Sequence, residues 1–370
     1  MTTPYTTVPE AASRRGVRAR LARAARWLTT PLDPDDYLGS LNALWPAGEP
    51  RGRVEAVLPE TPDAATLVIR PGRGWVPHRP GQWVRVGVDV DGVRHRRAYS
   101  LSSPPGHHGG LLTITVKEVP DGLVSRHLVR RTEPGTILHL SRPEGEFVLP
   151  DPLPPKLLFL TAGSGITPVM AMLRGLPTGR AGGAGGTPDV VLVHSAPAPE
   201  NVIFGAELRS LAARVPGLRL YERHTRSEGR LRPEELPELC PDLLERDIWV
   251  CGPAAMLEEV TAYWTGPADR LRVERFLPAA QVADGAGGPV RFTRSGREAD
   301  ADGGTPLLVV GEEAGVLMPS GCRMGICRGC LVRLSSGRIR DLRTGRIHGE
   351  AGDLVQTCVS AAAGPVEIEL

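Results

Sequence analysis

Aromatic residues are scarce in this chain. Trp 6, Tyr 5 and Phe 5 are spread over 370 residues, so each aromatic at a suggestive position carries weight. Lysine is nearly missing: Lys117 and Lys156 are the only two, and arginine supplies the other positive charges. An excess of one charge sign is missing too. The formal net charge of +2 excludes a strong nucleic-acid-binding field over the whole molecule. No stretch reaches the roughly 18 apolar residues of a membrane helix. The nearest, Leu157 to Leu173, is interrupted by Gly163, Gly165 and Pro168. The start lacks the charged-then-apolar order of a secretory signal, so a reducing cytoplasm is the expected compartment. Six cysteines are too few for a disulfide scaffold of this length, and four of them gather near the end. With 41% hydrophobic and 23% charged residues, a mainly disordered chain is excluded. The length suggests two to three domains, and Gly 44 with Pro 36 implies many turns and some linkers.

The chain divides by pattern. Residues 1–47 form a basic N-terminal extension. Within it, Arg14, Arg15, Arg18, Arg20, Arg23 and Arg26 are free of acidic neighbours, and Val17, Leu21, Ala24 and Leu28 recur at helical spacing. A basic amphipathic helix over 13–28 suits an anionic membrane surface; a helix packed on the protein's own body is the alternative. Residues 48–150 turn to β. Short runs at Val54–Val57, Ala65–Arg70, Gln82–Val90, Arg94–Leu101, Leu111–Val119 and Thr136–Ser141 are separated by Pro-Gly and Asp-Gly turns, which predicts an antiparallel β-barrel. From 151 to 277, buried strands at Lys156–Leu160, Val190–His194, Arg219–Glu222 and Asp247–Val250 alternate with helical runs, the pattern of a parallel α/β sheet. A Gly-rich loop interrupts it at 178–187, and an Ala/Gly-rich linker follows at 278–289. Residues 290–370 hold short strands and the clustered cysteines.

Cys322, Cys327 and Cys330 follow C-x4-C-x2-C spacing, and Cys358 comes after 27 intervening residues. This is the plant-type [2Fe–2S] ligand pattern. Four thiolates must surround two irons, three from one tight loop and one from a distant strand. Gly321, Gly325 and Gly329 allow that loop to curl, with backbone N–H groups turned toward the sulfurs. Zinc is the other reading, but zinc ribbons favour two C-x2-C pairs and only one is present. Cys240 and Cys251 stand apart and are not expected to be ligands. The run from Pro319 to Cys330 resembles the cluster loop of plant-type ferredoxins, and that resemblance implies an α+β, β-grasp-like domain over about 290–370.

Four further signals precede the cluster. Arg97-Ala-Tyr-Ser100 ends a predicted barrel strand. There Arg97 can neutralise a pyrophosphate, Tyr99 can lie against an isoalloxazine or its ribityl chain, and Ser100 can donate near the flavin N5. An ordinary strand with a surface arginine is the plain alternative. Gly122-Leu-Val-Ser125 opens a short helix, expected over Arg126 to Arg130, whose N-terminus is a ready anion site. Thr161-Ala-Gly-Ser-Gly-Ile-Thr-Pro168 lies between strand and helix, the context a phosphate loop needs. Trp249-Val-Cys-Gly-Pro253 ends the last buried strand. In this order the four resemble the ferredoxin–NADP reductase superfamily over roughly residues 50–277.

The resemblance implies an FAD barrel followed by an NAD(P)H domain. By matching position, Arg97, Tyr99 and Ser100 contact FAD, and Gly122 and Ser125 hold its pyrophosphate. Gly163, Gly165, Thr167 and Pro168 line the nicotinamide dinucleotide, Cys251, Gly252 and Pro253 flank the ring, and Phe276 of Glu274-Arg-Phe276 shields the flavin. Ser100, Tyr99 and Cys251 are the candidate catalytic residues. Thr225 and Arg226, after the third α/β strand, sit where NADP-using relatives place a Ser-Arg pair, so Arg226 is expected to meet a 2′-phosphate with help from Arg230. Ser195-Ala196 lacks the arginine some relatives carry at the earlier strand end, which leaves NADH as the alternative. Together these parts form a chain from NADPH through FAD and a [2Fe–2S] cluster to an acceptor protein, because only a flavin exchanges a hydride for single electrons.

Pro31-Leu-Asp-Pro-Asp-Asp-Tyr-Leu38 and Leu41-Asn-Ala-Leu-Trp-Pro46 resemble the reductases that feed acyl-CoA (fatty-acid) desaturases in actinobacteria. The expected acceptor is therefore a membrane acyl desaturase, approached through the Arg-rich helix, with the protein cytoplasmic or associated with the cytoplasmic face of the membrane. A Rieske dioxygenase, di-iron hydroxylase or cytochrome P450 is the alternative acceptor. A redox-sensing flavin and iron–sulfur binding module is the alternative from a different class.

Overall fold

The computed structural model describes residues 41–45, 50–90, 93–119, 122–177, 187–276, 287–321, 323, 325, 328–342 and 345–370. The expected helix over 13–28, most of the 178–187 loop and 278–289 linker, and Cys322 and Cys327 lie outside these residues.

Six strands, β1 (Arg51–Thr61), β2 (Ala64–Pro71), β3 (Trp83–Val90), β4 (Val93–Ser100), β5 (Leu112–Lys117) and β6 (Ile137–Leu140), form the first sheet. Its order is β4-β3-β6-β1-β2-β5, antiparallel throughout. A single bridge between Leu101 and Ile114 joins the two edge strands and closes the barrel. Alternation explains the closure. In β3, Val84, Val86, Val88 and Val90 recur every second residue, and all four are buried with Leu67, Ile69, Leu138 and Leu140. Helix α1 (Leu123–Arg130) covers the barrel with Val124 and Leu128. It begins at Leu123, three residues before the expected Arg126.

The second sheet contains β7 (Lys156–Ala162), β8 (Asp189–Ala196), β9 (Leu218–His224), β10 (Asp247–Cys251) and β11 (Leu271–Glu274), all parallel. The order β11-β10-β7-β8-β9 means the chain moves outward from β7, then crosses to its other side. The C-terminal ends of β7 and β10 therefore flank the crevice where open α/β sheets take ligands. Helices α2 (Ile166–Gly175), α3 (Gly205–Arg214) and α4 (Ala254–Tyr263) connect the strands. Pro168 is tolerated in the first turn of α2, where its missing N–H costs nothing. At the opposite end of the strands, fully buried Arg246 donates to the carbonyls of Leu157 (3.1 Å) and Asp189 (3.0 Å) and pairs with Asp242 and Asp189. It pins the starts of β7 and β8.

The third sheet runs β13 (Arg297–Ala301), β12 (Gly288–Phe292), β17 (Ser360–Ile368), β14 (Leu331–Asp341), β15 (Ile347–His348), with β16 (Leu354–Gln356) beside β14. Only β12 and β17 are parallel. Helix α5 (Leu307–Glu313) buries Leu307, Leu308 and Val310 against Val290, Phe292, Leu334 and Ile368. One helix across a mixed sheet is the expected β-grasp-like arrangement. No described helix is long and apolar enough to cross a membrane.

Candidate functional site

Arg97, Tyr99 and Ser100 lie on β4, which pairs Val86 with Arg97, Val84 with Tyr99 and Trp83 with Ser100. Arg97 donates to the carbonyl of Arg96 at 2.8 Å. Burial pushes the Tyr99 phenol up, so it stays protonated. Ser100 is buried at the strand end. Gly122 opens α1 without a side-chain cap. A Cβ at Gly122 would stand 2.9 Å from the Val119 carbonyl oxygen and nearer still to the Ser125 hydroxyl, so the turn requires glycine. The Ser125 hydroxyl accepts from the Val119 N–H (3.2 Å) and donates to the Gly122 carbonyl (3.2 Å). It closes the turn, and α1 opens without a side-chain cap on its first N–H groups.

In the crevice between β7 and β10, Gly163, at a φ of 54°, turns the chain out of β7. Gly165 then meets the backbone after β10: a Cβ there would stand 2.5 Å from the Cys251 carbonyl carbon and 2.9 Å from the Gly252 nitrogen. The two loops touch backbone to backbone because Gly165 has no side chain. Thr167 is buried and donates to the Ser164 carbonyl at 3.0 Å, fixing the first turn of α2. Gly252 has the same need for smallness: its Cβ would be 2.9 Å from the Met256 methyl and 3.2 Å from the Ala162 Cβ. Pro253 caps α4. Cys251 is wholly buried, and burial with nearby Glu274 pushes its thiol well up, so it is a neutral packing group in this structure.

Two features were not legible as site features in the sequence. Glu274, paired with Cys251 across β10 and β11, is a half-buried carboxyl that desolvation pushes up to about 7. Its segment was singled out for Phe276, which packs half-buried against the core around Trp249 and Cys251. Arg174, at the far end of α2, donates to the Ser102 carbonyl of the barrel at 2.7 Å. Only tertiary packing reveals either role. Thr225 and Arg226 open a single helical turn, Thr225–Glu228, at the end of β9. The Arg226 side chain is 69% exposed and reaches Glu200 at 3.9 Å, a loose contact that leaves the guanidinium able to turn to a ligand.

In the third domain Cys330 and Cys358 converge. Their sulfurs are 3.1 Å apart, both are buried, and neither forms a disulfide, whose bond is about 2.05 Å. The neighbouring thiol holds Cys330 below the usual thiol range, toward the thiolate an iron ligand needs. Arg323, Gly325 and Arg328 all have positive φ (59°, 75° and 55°), which curls the cysteine loop. Two of these are not glycine, a costly conformation that functional loops retain. Cys358 sits not on a strand, as expected, but in a short 3-10 turn, Thr357–Val359, between β16 and β17, and the loop is tied to that turn: Gln356 donates to the Gly325 carbonyl (2.9 Å) and the Thr357 hydroxyl to the Cys330 carbonyl (3.0 Å). The described residues fit a thiolate-bound cluster.

A closed antiparallel barrel, a parallel sheet with a glycine-lined crevice, and a cysteine-bearing mixed sheet define an electron-transfer flavoprotein. Family profiles agree: an oxidoreductase FAD-binding domain matches residues 75–149, an oxidoreductase NAD-binding domain 159–262, and a 2Fe-2S iron-sulfur cluster binding domain 290–363. The chain belongs to the ferredoxin–NADP reductase superfamily, in the group carrying a C-terminal [2Fe–2S] domain, and is an NAD(P)H-dependent reductase using FAD and that cluster. It is 50% identical over 355 residues to an NADPH oxidoreductase of Mycobacterium tuberculosis, covering 95% of this chain and 92% of the relative. It is 31% identical over 358 residues to the glycine betaine monooxygenase reductase subunit of Pseudomonas aeruginosa, covering 88% and 96%. Among solved structures, phthalate dioxygenase reductase shares the fold with a TM-score of 0.60 at 24% identity, covering 87% of this chain and 98% of that one.

Proposed function

We propose that this reductase draws electrons from NADPH and delivers them to a membrane acyl desaturase. What supports the acceptor is the run Pro31–Leu38 with Leu41–Pro46, together with the Arg-rich stretch 13–28, which suits an anionic membrane surface. In this reading residues 48–150 hold FAD, 151–277 hold the coenzyme, 278–289 link them to the cluster domain, and 290–370 carry the cluster.

FAD supplies, when bound, the exchange between a two-electron hydride and single electrons. Each residue then has a defined task. Arg97 neutralises the pyrophosphate with the first N–H groups of α1, at the turn that Gly122 and Ser125 shape. Tyr99, as a neutral phenol, would lie against the flavin, and Ser100 would donate a hydrogen bond at its edge. Gly163, Gly165, Thr167 and Pro168 present the N-terminus of α2 to the coenzyme phosphates. Gly252 and Pro253 would form the wall against the nicotinamide, with wholly buried Cys251 packed behind them, and Phe276 would shield the flavin. Thr225 and Arg226 take the 2′-phosphate. NADPH is favoured because Arg226 is uncommitted enough to pair with that phosphate, and the Mycobacterium relative is an NADPH oxidoreductase. Cys322, Cys327, Cys330 and Cys358 ligate the cluster.

Reconstituted desaturation is the test. Turnover in desaturase-containing membranes must exceed that obtained with an unrelated reductase; equal rates refute the acceptor. A soluble oxygenase as acceptor is the second reading, favoured by the Pseudomonas relative, a monooxygenase reductase subunit. Unchanged electron delivery after removal of residues 1–30 would support it.

A further inference from the structure

The barrel and the nucleotide domain meet along α2, and the contact is directional. Met172 of α2 faces Gly81, where an added Cβ would stand 2.5 Å from its methyl, and Gly175 lies against Pro80 and Pro104. Such apolar contacts bury area but fix no register. Arg174 fixes it. Its Nη1 donates to the Ser102 carbonyl at 2.7 Å, two residues beyond Ser100. Its Nε and Nη2 take both carboxylate oxygens of Glu207 on α3, at 2.8 and 2.6 Å. Its face lies 5.0 Å from the Phe204 ring centre. The side chain is 13% exposed, so edge, fork and face are all held.

A second crossing starts from the same place. Phe204 has a φ of 60°, a left-handed conformation costing roughly 1–2 kcal/mol for a residue other than glycine. In that conformation its N–H donates to Glu60 of the barrel at 3.3 Å. Glu60 accepts from the Thr66 hydroxyl (2.6 Å), which meets Thr115 (2.8 Å), which meets the Ser102 hydroxyl (3.0 Å). The path thus leaves the barrel at Ser102 by a hydrogen bond to Arg174, crosses from the guanidinium to Phe204 by the ring contact, and returns by hydrogen bonds through Glu60 to Ser102.

We infer that Arg174 is a positioning residue for hydride transfer, joining the strand that ends at Ser100 to the helix that opens at Gly165 and so setting the spacing between flavin and nicotinamide. The role rests on the cofactor placement proposed above. α2 is rigid and carries the coenzyme turn at one end and the tether at the other, so losing the tether lets that turn tilt relative to β4. Reacting atoms must approach to about 3–3.5 Å, and misplacement by about 1 Å costs on the order of 100-fold in rate. Lysine keeps the charge but not the fork, and cannot satisfy three acceptors in one plane.

The test uses full-length, FAD- and cluster-loaded protein under anaerobic conditions. Flavin bleaching after rapid mixing with NADPH gives the limiting rate and the apparent Kd. Long-wavelength charge-transfer absorbance, on adding NADP+ to dithionite-reduced protein, reports ring stacking without turnover. For Arg174→Met the limiting rate is expected to fall roughly 30- to 100-fold. Kd should stay within about threefold, charge-transfer absorbance should be lost, and Arg174→Lys should be intermediate. A limiting rate within about twofold of wild type overturns the role. So does a weakened Kd with an unchanged rate, which would make Arg174 a coenzyme-binding residue. If Arg174→Met fails to fold, Glu207→Gln decides: it keeps the guanidinium and weakens its fork, and an unchanged rate and absorbance refute the role. Failure of the cofactor placement itself shows separately, as a wild type that neither coenzyme reduces or stacks upon, and the inference falls with it.

Discussion

Gly165→Ala adds one methyl group where two backbone segments touch. Gly165 itself has φ −61° and ψ −11°, a helical conformation that alanine adopts readily. The substitution would therefore gain about 0.5–1 kcal/mol from the unfolded chain were nothing in the way. The added Cβ would stand 2.5 Å from the Cys251 carbonyl carbon and 2.9 Å from the Gly252 nitrogen, where ordinary contact is 3.4–4 Å. Both obstacles are backbone, so the loops must part by about 1 Å. Overpacking of this kind costs about 1–3 kcal/mol, leaving a net loss of roughly 1–2. The melting midpoint should fall by a few degrees. Catalysis should suffer more, because the parted loops flank the proposed coenzyme site. Displacement by about 1 Å predicts a drop in flavin reduction by NADPH on the order of 100-fold. Anaerobic rapid mixing measures it, with dithionite reduction of flavin and cluster as the unchanged control. Gly163→Ala separates sterics from backbone strain: its Cβ would meet nothing within 4 Å, but its φ is 54°. That variant should lose about 1–2 kcal/mol of stability and less of the rate. Reduction of Gly165→Ala by NADPH within about threefold of wild type would refute the placement of coenzyme between β7 and β10.

The other predictions concern coenzyme choice, the cluster and pH. Arg226→Ala should raise KM for NADPH by roughly 10- to 100-fold, the value of charge-assisted hydrogen bonds to a phosphate, and leave NADH unchanged; equal effects on both coenzymes would move the 2′-phosphate elsewhere. Cys358→Ser should abolish the iron–sulfur absorbance and iron content while NADPH still bleaches the flavin, and full iron content in that variant would remove Cys358 from the ligand set. Burial lowers fully buried His194 from 6.5 to about 4, so the folded state binds fewer protons in that window; stability is full above 6.5 and falls by about 3 kcal/mol as pH drops to 4. Glu274, raised from 4.5 to about 7, acts in the opposite sense, its contribution being lost as pH rises through 7. The two slopes nearly cancel in the wild type. Glu274→Gln should therefore reveal a rise in urea stability of about 3 kcal/mol between pH 4 and 6.5, and a flat profile would refute the neutral, buried state of His194.

Patterns local in sequence were legible. Val84 to Val90 alternate with period two, and the barrel strand lies where that alternation puts it. Lys156–Leu160 followed by Gly163 and Gly165 marks strand, turn and helix, and the structure extends the helix back to Ile166. α1 starts before the expected Arg126 because Val124 and Leu128, one helical turn apart, are the residues that bury it on the barrel. Cys330 and Cys358 were joined on spacing alone, and their sulfurs do meet. What stayed hidden depended on neighbours distant in the chain. Nothing around Glu274 announces a carboxyl raised by burial, since its partner Cys251 lies on another strand. Arg174 reads as an ordinary basic residue in the last turn of a helix, where positive charge is always favoured.

The sequence by itself therefore determined the three-part order, the two nucleotide turns and the cysteine spacing. Each is a matter of periodicity, glycine placement or ligand chemistry within a short stretch. Only the tertiary structure decided which groups are buried, which loops touch, and how the barrel is tied to the nucleotide domain. Desolvation and contact are set by residues brought together across the fold: Ser102 with Arg174, Glu60 with Phe204, Gly165 with Cys251. Such pairings follow from packing of whole elements, and no local pattern encodes them.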